Sequence, residues 1–172
     1  MILEGYIACI CEGSAEQGIM ELLLDNDKLI FDRNQMLEEE IIRCRSGKAF
    51  ENRFLRKGFN NKITVLRILD SRRENFKLSK VYRDKVSVIN VITAPEIEML
   101  IIFKEGKYSE YKKSKMKPSD FCISFLEYPD VKSYVFVKKY FKNVDELLFS
   151  INEYQRIAKI QKGESTLFEL LK

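Results

Sequence analysis

The sequence predicts an α/β fold in which a central, mostly parallel sheet of about four strands is flanked by helices. Hydrophobic runs rich in β-branched residues alternate with helical stretches along the chain, which is the pattern of βαβ units. Only 7 glycines and 3 prolines occur in 172 residues, so regular structure should be dense. The length and a hydrophobic content of 45% suit one domain over residues 1–172, with residues 110–172 as a carboxyl-terminal extension.

Short apolar runs predict the strands. Tyr6–Cys11 is apolar throughout, as expected of a strand buried on both faces. Residues 62–69 and 85–93 are rich in valine, isoleucine and leucine and predict the next two strands. Residues 132–137 predict a fourth strand, and residues 28–31 a short additional one.

Helical spacing and capping residues predict the elements between these strands. Ser14 followed by Gln17 indicates a capping box at the start of the first helix. Pro95 suits the first turn of another helix. Helices are predicted over residues 14–25, 36–57, 95–104, 143–160 and 163–172.

The predicted helix over residues 36–57 is highly charged. Arg43 and Arg45 follow a run of three glutamates at positions 38–40. Ion pairing along the helix face is the simplest interpretation of these arginines.

The composition excludes several classes of enzyme. The chain contains no histidine, which excludes Ser-His-Asp and Cys-His catalysis and the HExxH zinc proteases. Neither a P-loop nor a GxGxxG motif occurs, so the chain should not hydrolyse ATP by itself. Any catalysis must therefore use carboxylates, lysines, hydroxyls, thiols or a bound metal.

Cysteine usage and hydropathy favour a cytoplasmic protein. The cysteines form no CxxC pair, which argues against a structural zinc site and against a disulfide framework. The longest apolar run, Tyr6–Cys11, is far shorter than the roughly 20 residues that a transmembrane helix needs, so no membrane association is expected. The net charge of +4 permits a polyanionic partner without requiring one. The four cysteines are Cys9, Cys11, Cys44 and Cys122.

Three acidic residues stand where predicted elements begin or end. Glu12 follows the first strand, Asp70 follows the second, and Glu98 lies near the start of the helix after the third. The carboxyl ends of parallel strands share one edge of a sheet, so these carboxylates should converge and repel unless a cation neutralises them. Mg²⁺ or Mn²⁺ would do so, with phosphate oxygens as further ligands. The alternative is that each acid simply ends a strand or caps a helix.

Several motifs resemble those of TOPRIM proteins. Cys11–Glu16 resembles the first TOPRIM motif, in which a strand ends in Glu-Gly and another acid follows four residues after the first. Leu69–Asp70 is similar to the second motif, usually Asp-x-Asp. Pro95–Ile102 and the terminal residues 165–171 resemble segments of the RloB-like branch, which is associated with phage defence and abortive infection. The resemblance implies a TOPRIM-like fold and metal-dependent chemistry at phosphodiester bonds.

One position departs from that pattern. The second acid of Asp-x-Asp would fall at position 72, where this chain has Arg72. Glu74 would substitute as a metal ligand if the loop bends back. Alternatively, Arg72 and Arg73 bind a phosphate directly, as guanidinium groups do well.

The predicted roles combine position with resemblance. Glu12 would act as general base or share the metal, Asp70 would hold Mg²⁺, and Glu98 would position a second ion or a water. A lysine, assigned to Lys115, would stabilise the charge that develops on the phosphate.

The densest cationic cluster follows two tyrosines in the second half of the chain. Its lysines would give sequence-independent, salt-sensitive affinity for nucleic acid, with the tyrosines available to stack on bases. The alternative is an ordinary solvated loop. The cluster comprises Lys112, Lys113, Lys115 and Lys117.

The sequence thus predicts a Mg²⁺- or Mn²⁺-dependent nuclease-like effector that acts on DNA or RNA in bacterial anti-phage defence. The defence context and a separate ATPase subunit follow from the resemblance alone, and a homo-oligomer is compatible with the many aromatic residues. A TOPRIM-like module that has lost catalysis and binds nucleic acid or a protein is the alternative function. A regulatory subunit whose acids only cap structure is a third.

Overall fold

A computed structural model describes residues 1–56, 61–72 and 76–172. Its centre is a parallel sheet of three strands in the order β1-β2-β3, which confirms the α/β class. The strands are β1 (Tyr6–Cys11), β2 (Ile63–Leu69) and β3 (Val86–Ile92), each within one residue of its predicted bounds.

Helices connect and cover these strands. In the described part of the chain they are α1 (Ser14–Asp25), α2 (Gly47–Phe50), α3 (Glu96–Lys104), α4 (Tyr108–Ser114), α5 (Pro118–Ser124), α6 (Tyr134–Tyr140) and α7 (Val144–Gln155). A π-helical turn at Glu51–Leu55 continues α2, and 3-10 turns occur at Arg33–Gln35, Lys80–Tyr82 and Leu167–Leu170. No helix in the described part of the chain is long and apolar enough to span a bilayer.

The two faces of the sheet support two hydrophobic cores. Alternate side chains of a strand point to opposite faces. Cys9 and Leu66 belong to the larger core, to which α1, α3, α5, α6 and α7 all contribute buried side chains. Ala8 and Val65 belong to the smaller core, which Phe50 and the π-helical turn help to close.

The predicted fourth strand at residues 132–137 is wrong, because most of this segment lies in α6. The Ser133 hydroxyl accepts a hydrogen bond from the Phe136 backbone N–H at 3.0 Å and caps the helix. Val137 and Phe141 are four residues apart and fully buried, as helical spacing requires.

The long helix predicted over residues 36–57 is wrong for its first part, whereas residues 47–55 are helical and residue 57 lies outside the described residues. Its first part runs parallel to β1 in irregular backbone: the Leu37 N–H donates to the Ile7 carbonyl at 2.9 Å, and the Ile42 N–H donates to the Cys9 carbonyl at 2.7 Å. Helical structure begins only after Ser46, whose side chain caps α2. Pairing with an exposed edge of the sheet has prevailed over helical propensity.

The carboxyl-terminal segment pairs with β3, the outer strand on the other side of the sheet. The Ser165 N–H donates to the Asn90 carbonyl at 3.1 Å, and the Ile92 N–H donates to the Ser165 carbonyl at 2.9 Å. Residues 28–31 form no strand beyond a single bridge from Leu29 to Leu171. The last predicted helix is reduced to the 3-10 turn at Leu167–Leu170.

The capping box predicted at Ser14 is not formed. Gly13 occupies the N-cap position of α1 and Ser14 is the first helical residue. Gln17 instead donates its side-chain amide to Glu21 at 2.9 Å.

Candidate functional site at the carboxyl edge of the sheet

The parallel register places three strand ends side by side. The Glu12 N–H donates to the Ile68 carbonyl at 3.0 Å, which fixes the end of β1 against β2. The Thr93 N–H donates to the Leu69 carbonyl at 2.7 Å, which fixes the end of β3 against β2. Glu12, Asp70 and Thr93 therefore follow adjacent strands at one edge, where parallel α/β sheets carry their sites. This confirms the position predicted for Glu12 and Asp70.

Glu16, for which the sequence predicted no role, also lies at this edge. It lies in the first turn of α1, is 4% exposed, and accepts a hydrogen bond from the Thr93 hydroxyl at 3.0 Å. Burial raises the pKa of Glu16; its own backbone amide and Thr93 partly offset that effect, and the charge of Asp70 adds to it. Its place four residues after Glu12 was the available signal.

Gly13 makes room for the Glu16 carboxylate. A Cβ atom built on Gly13 would lie 2.1 Å from Glu16 Oε2. The backbone of Gly13 is extended, with φ of −103° and ψ of 165°, so its conformation does not itself require glycine. The Glu-Gly pair is thus explained by space for a second carboxylate.

Glu98 lies at the same edge but is already paired. Its side chain is 6% exposed and forms an ion pair with Lys132 at 3.2 Å. Partial burial lowers the pKa of Lys132, but the charges of Glu98, Asp70 and Glu16 outweigh it and raise the pKa overall. The lysine that lies among the carboxylates is therefore Lys132, on the loop before α6.

Glu96 is the most deeply buried acid of this region. It is fully buried, and neither carboxylate oxygen has a hydrogen-bond partner among the described residues. Burial raises the pKa of Glu96 well above its ordinary value. The nearby backbone of Leu167 lowers this pKa somewhat, and the negative charge of Glu16 raises it further. Only the tertiary structure reveals this burial, since Pro95 and Glu96 look like an ordinary helix start in the sequence.

A polar cleft opens beside the end of β1, at the carboxyl edge of the sheet. It has a volume of about 300 Å³, and Glu12, Ser14, Arg43, Cys44 and Arg45 contribute to its lining. The predicted helix-face pairing of the two arginines is wrong, because residues 37–46 are not helical.

The predicted basic residues lie elsewhere on the surface. Lys112 and Lys113 lie in the last turn of α4, and Lys115 follows that helix in a left-handed conformation with φ of 56°. All four lysines of the cluster, Lys117 included, are exposed. Their contact with nucleic acid, and a catalytic role for Lys115, stay predictions.

Arg72 is exposed and forms an ion pair with Glu164 at 2.9 Å. Arg73 and Glu74 lie outside the described residues, so their predicted roles in phosphate and metal binding stay predictions.

The donor set suits a hard divalent cation bound with few protein ligands. Within residues 1–56, 61–72 and 76–172, no three acidic, cysteine or histidine side chains are grouped to hold a metal ion. Mg²⁺ typically takes one or two carboxylates and completes its shell with water and phosphate oxygens. Asp70 is exposed and lies close enough to Glu16 for the two charges to interact. The edge is therefore compatible with a cation that substrate phosphate helps to hold.

Comparison with protein-family models, curated proteins and solved structures finds no match to this chain.

Proposed function

We propose that this protein is a Mg²⁺- or Mn²⁺-dependent enzyme that cleaves phosphodiester bonds in nucleic acid at the carboxyl edge of its sheet. The observation that supports it is that the negative charges of Glu98, Asp70 and Glu16 all act on the Lys132 ammonium, which Glu98 contacts at 3.2 Å, at the edge where Glu12 follows the adjacent strand. Carboxylates for a metal and a cation for the phosphate are the parts that phosphoryl transfer needs. The proposal extends the resemblance of Cys11–Glu16 to TOPRIM proteins.

The residues divide into separate roles. Asp70 and Glu12 would hold the cation, which supplies charge neutralisation and a more acidic water when it is bound. Lys132 would stabilise negative charge on the phosphate, and Glu98 positions Lys132 through their ion pair. Glu16 holds a proton more readily than an exposed carboxylate because its pKa is raised, which suits a general acid or base.

A binding module without catalysis is the second candidate. Lys132 already supplies positive charge among these carboxylates, as a metal ion would. Arg72, at the position of the second acid in the resemblance, pairs with Glu164 rather than adding a ligand. Both observations favour phosphate binding over hydrolysis. In either case the resemblance adds a defence context and a separate ATPase to the proposal.

The deciding experiment measures cleavage of labelled single- and double-stranded DNA and RNA in Mg²⁺, Mn²⁺ or EDTA. Asp70→Asn should reduce the cleavage rate at least about 100-fold, since it removes a metal ligand worth several kcal/mol in the transition state. Glu40→Gln, which neutralises an exposed carboxylate that is not one of the proposed site residues, is the matched control.

Calorimetric titration of Mg²⁺ into the same variants separates metal binding from turnover. Loss of both cleavage and metal binding in Asp70→Asn supports the enzyme. Full cleavage by Asp70→Asn would exclude this edge as the catalytic centre. Binding of nucleic acid without cleavage in any metal would establish the binding module.

A further inference from the structure

The cleft on the β1 side carries more positive than negative charge. Arg43 and Arg45 line it together with a single acid, Glu12. Arg43 is held in place because its guanidinium donates to the Gln17 side-chain oxygen at 2.9 Å and 3.3 Å. Arg45 is exposed and makes no hydrogen bond or ion pair with any described residue.

Both guanidinium groups therefore keep donors for an external anion. Arginine presents five N–H donors in a planar fork that matches phosphate oxygens, and Arg43 uses only two of them. Gly13 and Ser14, at the start of the 12-residue helix α1, line the same cleft. First-turn N–H groups lack acceptors within a helix and add to the attraction for an anion. The pair of arginines distinguishes this cleft from an ordinary helix end.

We infer that the cleft binds a phosphate group of a nucleic-acid strand and thereby seats the strand across the carboxyl edge of the sheet. This inference rests on the proposed function for its substrate class and adds a binding subsite to it. Glu12 lines the cleft and also lies at the carboxyl edge of the sheet. A nucleic-acid strand bound by Arg43 and Arg45 would therefore continue directly towards Asp70, at the end of the neighbouring β2. Phosphate contacts of this kind position a strand without reading its sequence.

Binding in EDTA tests the inference apart from catalysis. Fluorescence anisotropy with a labelled oligonucleotide is measured for Arg45→Gln and for the double variant Arg43→Gln/Arg45→Gln. We expect the double variant to bind about tenfold or more weakly, because charge-assisted hydrogen bonds to the phosphate are removed. The slope of log affinity against log salt should fall by about one for each phosphate that the variant no longer neutralises.

The control removes the same charge at the opposite end of the sheet. Lys80→Gln/Arg83→Gln changes two exposed cations just before β3, far from the strand carboxyl ends. Equal weakening by this pair would reduce the effect to general charge and overturn the inference, and so would wild-type binding by the Arg43/Arg45 double variant. Arg45→Gln alone keeps the test valid if removal of the hydrogen bonds between Arg43 and Gln17 disturbs folding.

Cys44 provides a second readout inside the cleft. It is half-buried and lines the cleft, whereas the other three cysteines, Cys9, Cys11 and Cys122, are buried. Oligonucleotide in EDTA should slow maleimide labelling of Cys44 several-fold, and Cys44→Ser identifies the labelled site. Labelling at an unchanged rate with saturating oligonucleotide would overturn the inference.

The inference and the proposed function fail separately. Oligonucleotide binding through the arginines, together with no cleavage in any metal, keeps the cleft and rejects the enzyme. Cleavage that depends on Asp70 but is indifferent to both arginines keeps the enzyme and rejects the cleft.

Discussion

The two halves of the carboxyl edge hold their charges in different ways. On the β1 side, Glu12 shares an open polar cleft with Arg43 and Arg45. On the β3 side, Glu16 and Glu96 are buried. Exposed charges are screened by water and salt, whereas buried carboxylates must be paired, hydrogen-bonded or protonated.

The two sides of the carboxyl edge should therefore respond to different solution conditions, salt on one side and pH on the other. Ligand binding on the β1 side should respond to salt, because exposed arginines attract phosphate by screened electrostatics. Folding stability on the β3 side should respond to pH, because burial raises the pKa values of Glu16 and Glu96. Substitutions on the β3 side should therefore have the larger effects on stability.

The largest effect is expected from Lys132→Met. The variant leaves the 6% exposed Glu98 carboxylate without its cation and should lower the free energy of unfolding by about 1–2 kcal/mol. The effect stays below that of a fully buried pair, because the Lys132 side chain is 62% exposed and solvent-screened. Urea denaturation at pH 7 measures it. Lys142→Met, on an exposed lysine, is the control, and equal stability of the two variants would show that the pair contributes nothing.

Glu96→Gln should change how stability depends on pH. The folded pKa lies above the ordinary value of 4.5, so the native state binds more protons than the unfolded state above that pH. Stability of the wild type therefore falls as pH rises from about 4.5 towards the folded pKa. The neutral amide removes this dependence, and we expect a gain of about 1 kcal/mol at pH 8 that shrinks by pH 5.

Thermal or urea denaturation at several pH values provides the measurement for Glu96. Glu40→Gln, on an exposed carboxylate, should leave the pH profile unchanged. A profile for Glu96→Gln parallel to that of the wild type would show that Glu96 ionises freely in the folded state.

Gly13→Ala should act through Glu16. The new Cβ would lie 2.1 Å from Glu16 Oε2 and should displace the carboxylate from Thr93, at a cost of about 0.5–1 kcal/mol for the broken hydrogen bond. In a Glu16→Ala background the clash is absent, so the same substitution should cost less: the extended backbone of Gly13 accommodates alanine, and only the N-cap preference for glycine over alanine remains. A double-mutant cycle of unfolding free energies measures the coupling. Equal effects in both backgrounds would exclude a role for Glu16.

The smallest effect on stability is expected at the pair of exposed Arg72 and half-buried Glu164. Arg72→Gln and Glu164→Gln should each change the free energy of unfolding by less than about 0.5 kcal/mol. Their effects on nucleic-acid binding should differ, since only the first removes a cation. Weaker oligonucleotide binding by Arg72→Gln alone would support phosphate contact by Arg72, and identical binding by both variants would contradict it.

Local sequence predicted the strands well because buried parallel strands are rich in apolar and β-branched residues. β1 and β2 are buried along nearly their whole length, whereas β3 is exposed at Ser87 and Val88 and was identified from its valines and isoleucines. Residues 132–137 show the limit of this signal: tyrosine, valine and phenylalanine favour strands, yet the cap at Ser133 and the burial of Val137 and Phe141 favour a helix. Local preference is weaker than burial on the correct face.

The candidate site was predicted in part for the same reason. Glu12 and Asp70 were identifiable because each directly follows an apolar strand, and parallel strands bring their ends together. Lys132 and Arg45 come from loops whose path no local pattern encodes.

The sequence by itself determined the α/β class, the three strands and the two acids at their ends, because these depend on hydrophobic patterns within a few residues. Only the tertiary structure decided which cations lie beside those acids and which acids are buried. The local sequence of residues 36–46 is compatible with a helix or with an extended segment beside the sheet. Hydrogen bonds to β1 place these residues alongside that strand, which brings Arg43 and Arg45 to Glu12. The burial of Glu16 and Glu96 likewise depends on segments distant in sequence, since Thr93 contacts the first and the backbone of Leu167 faces the second.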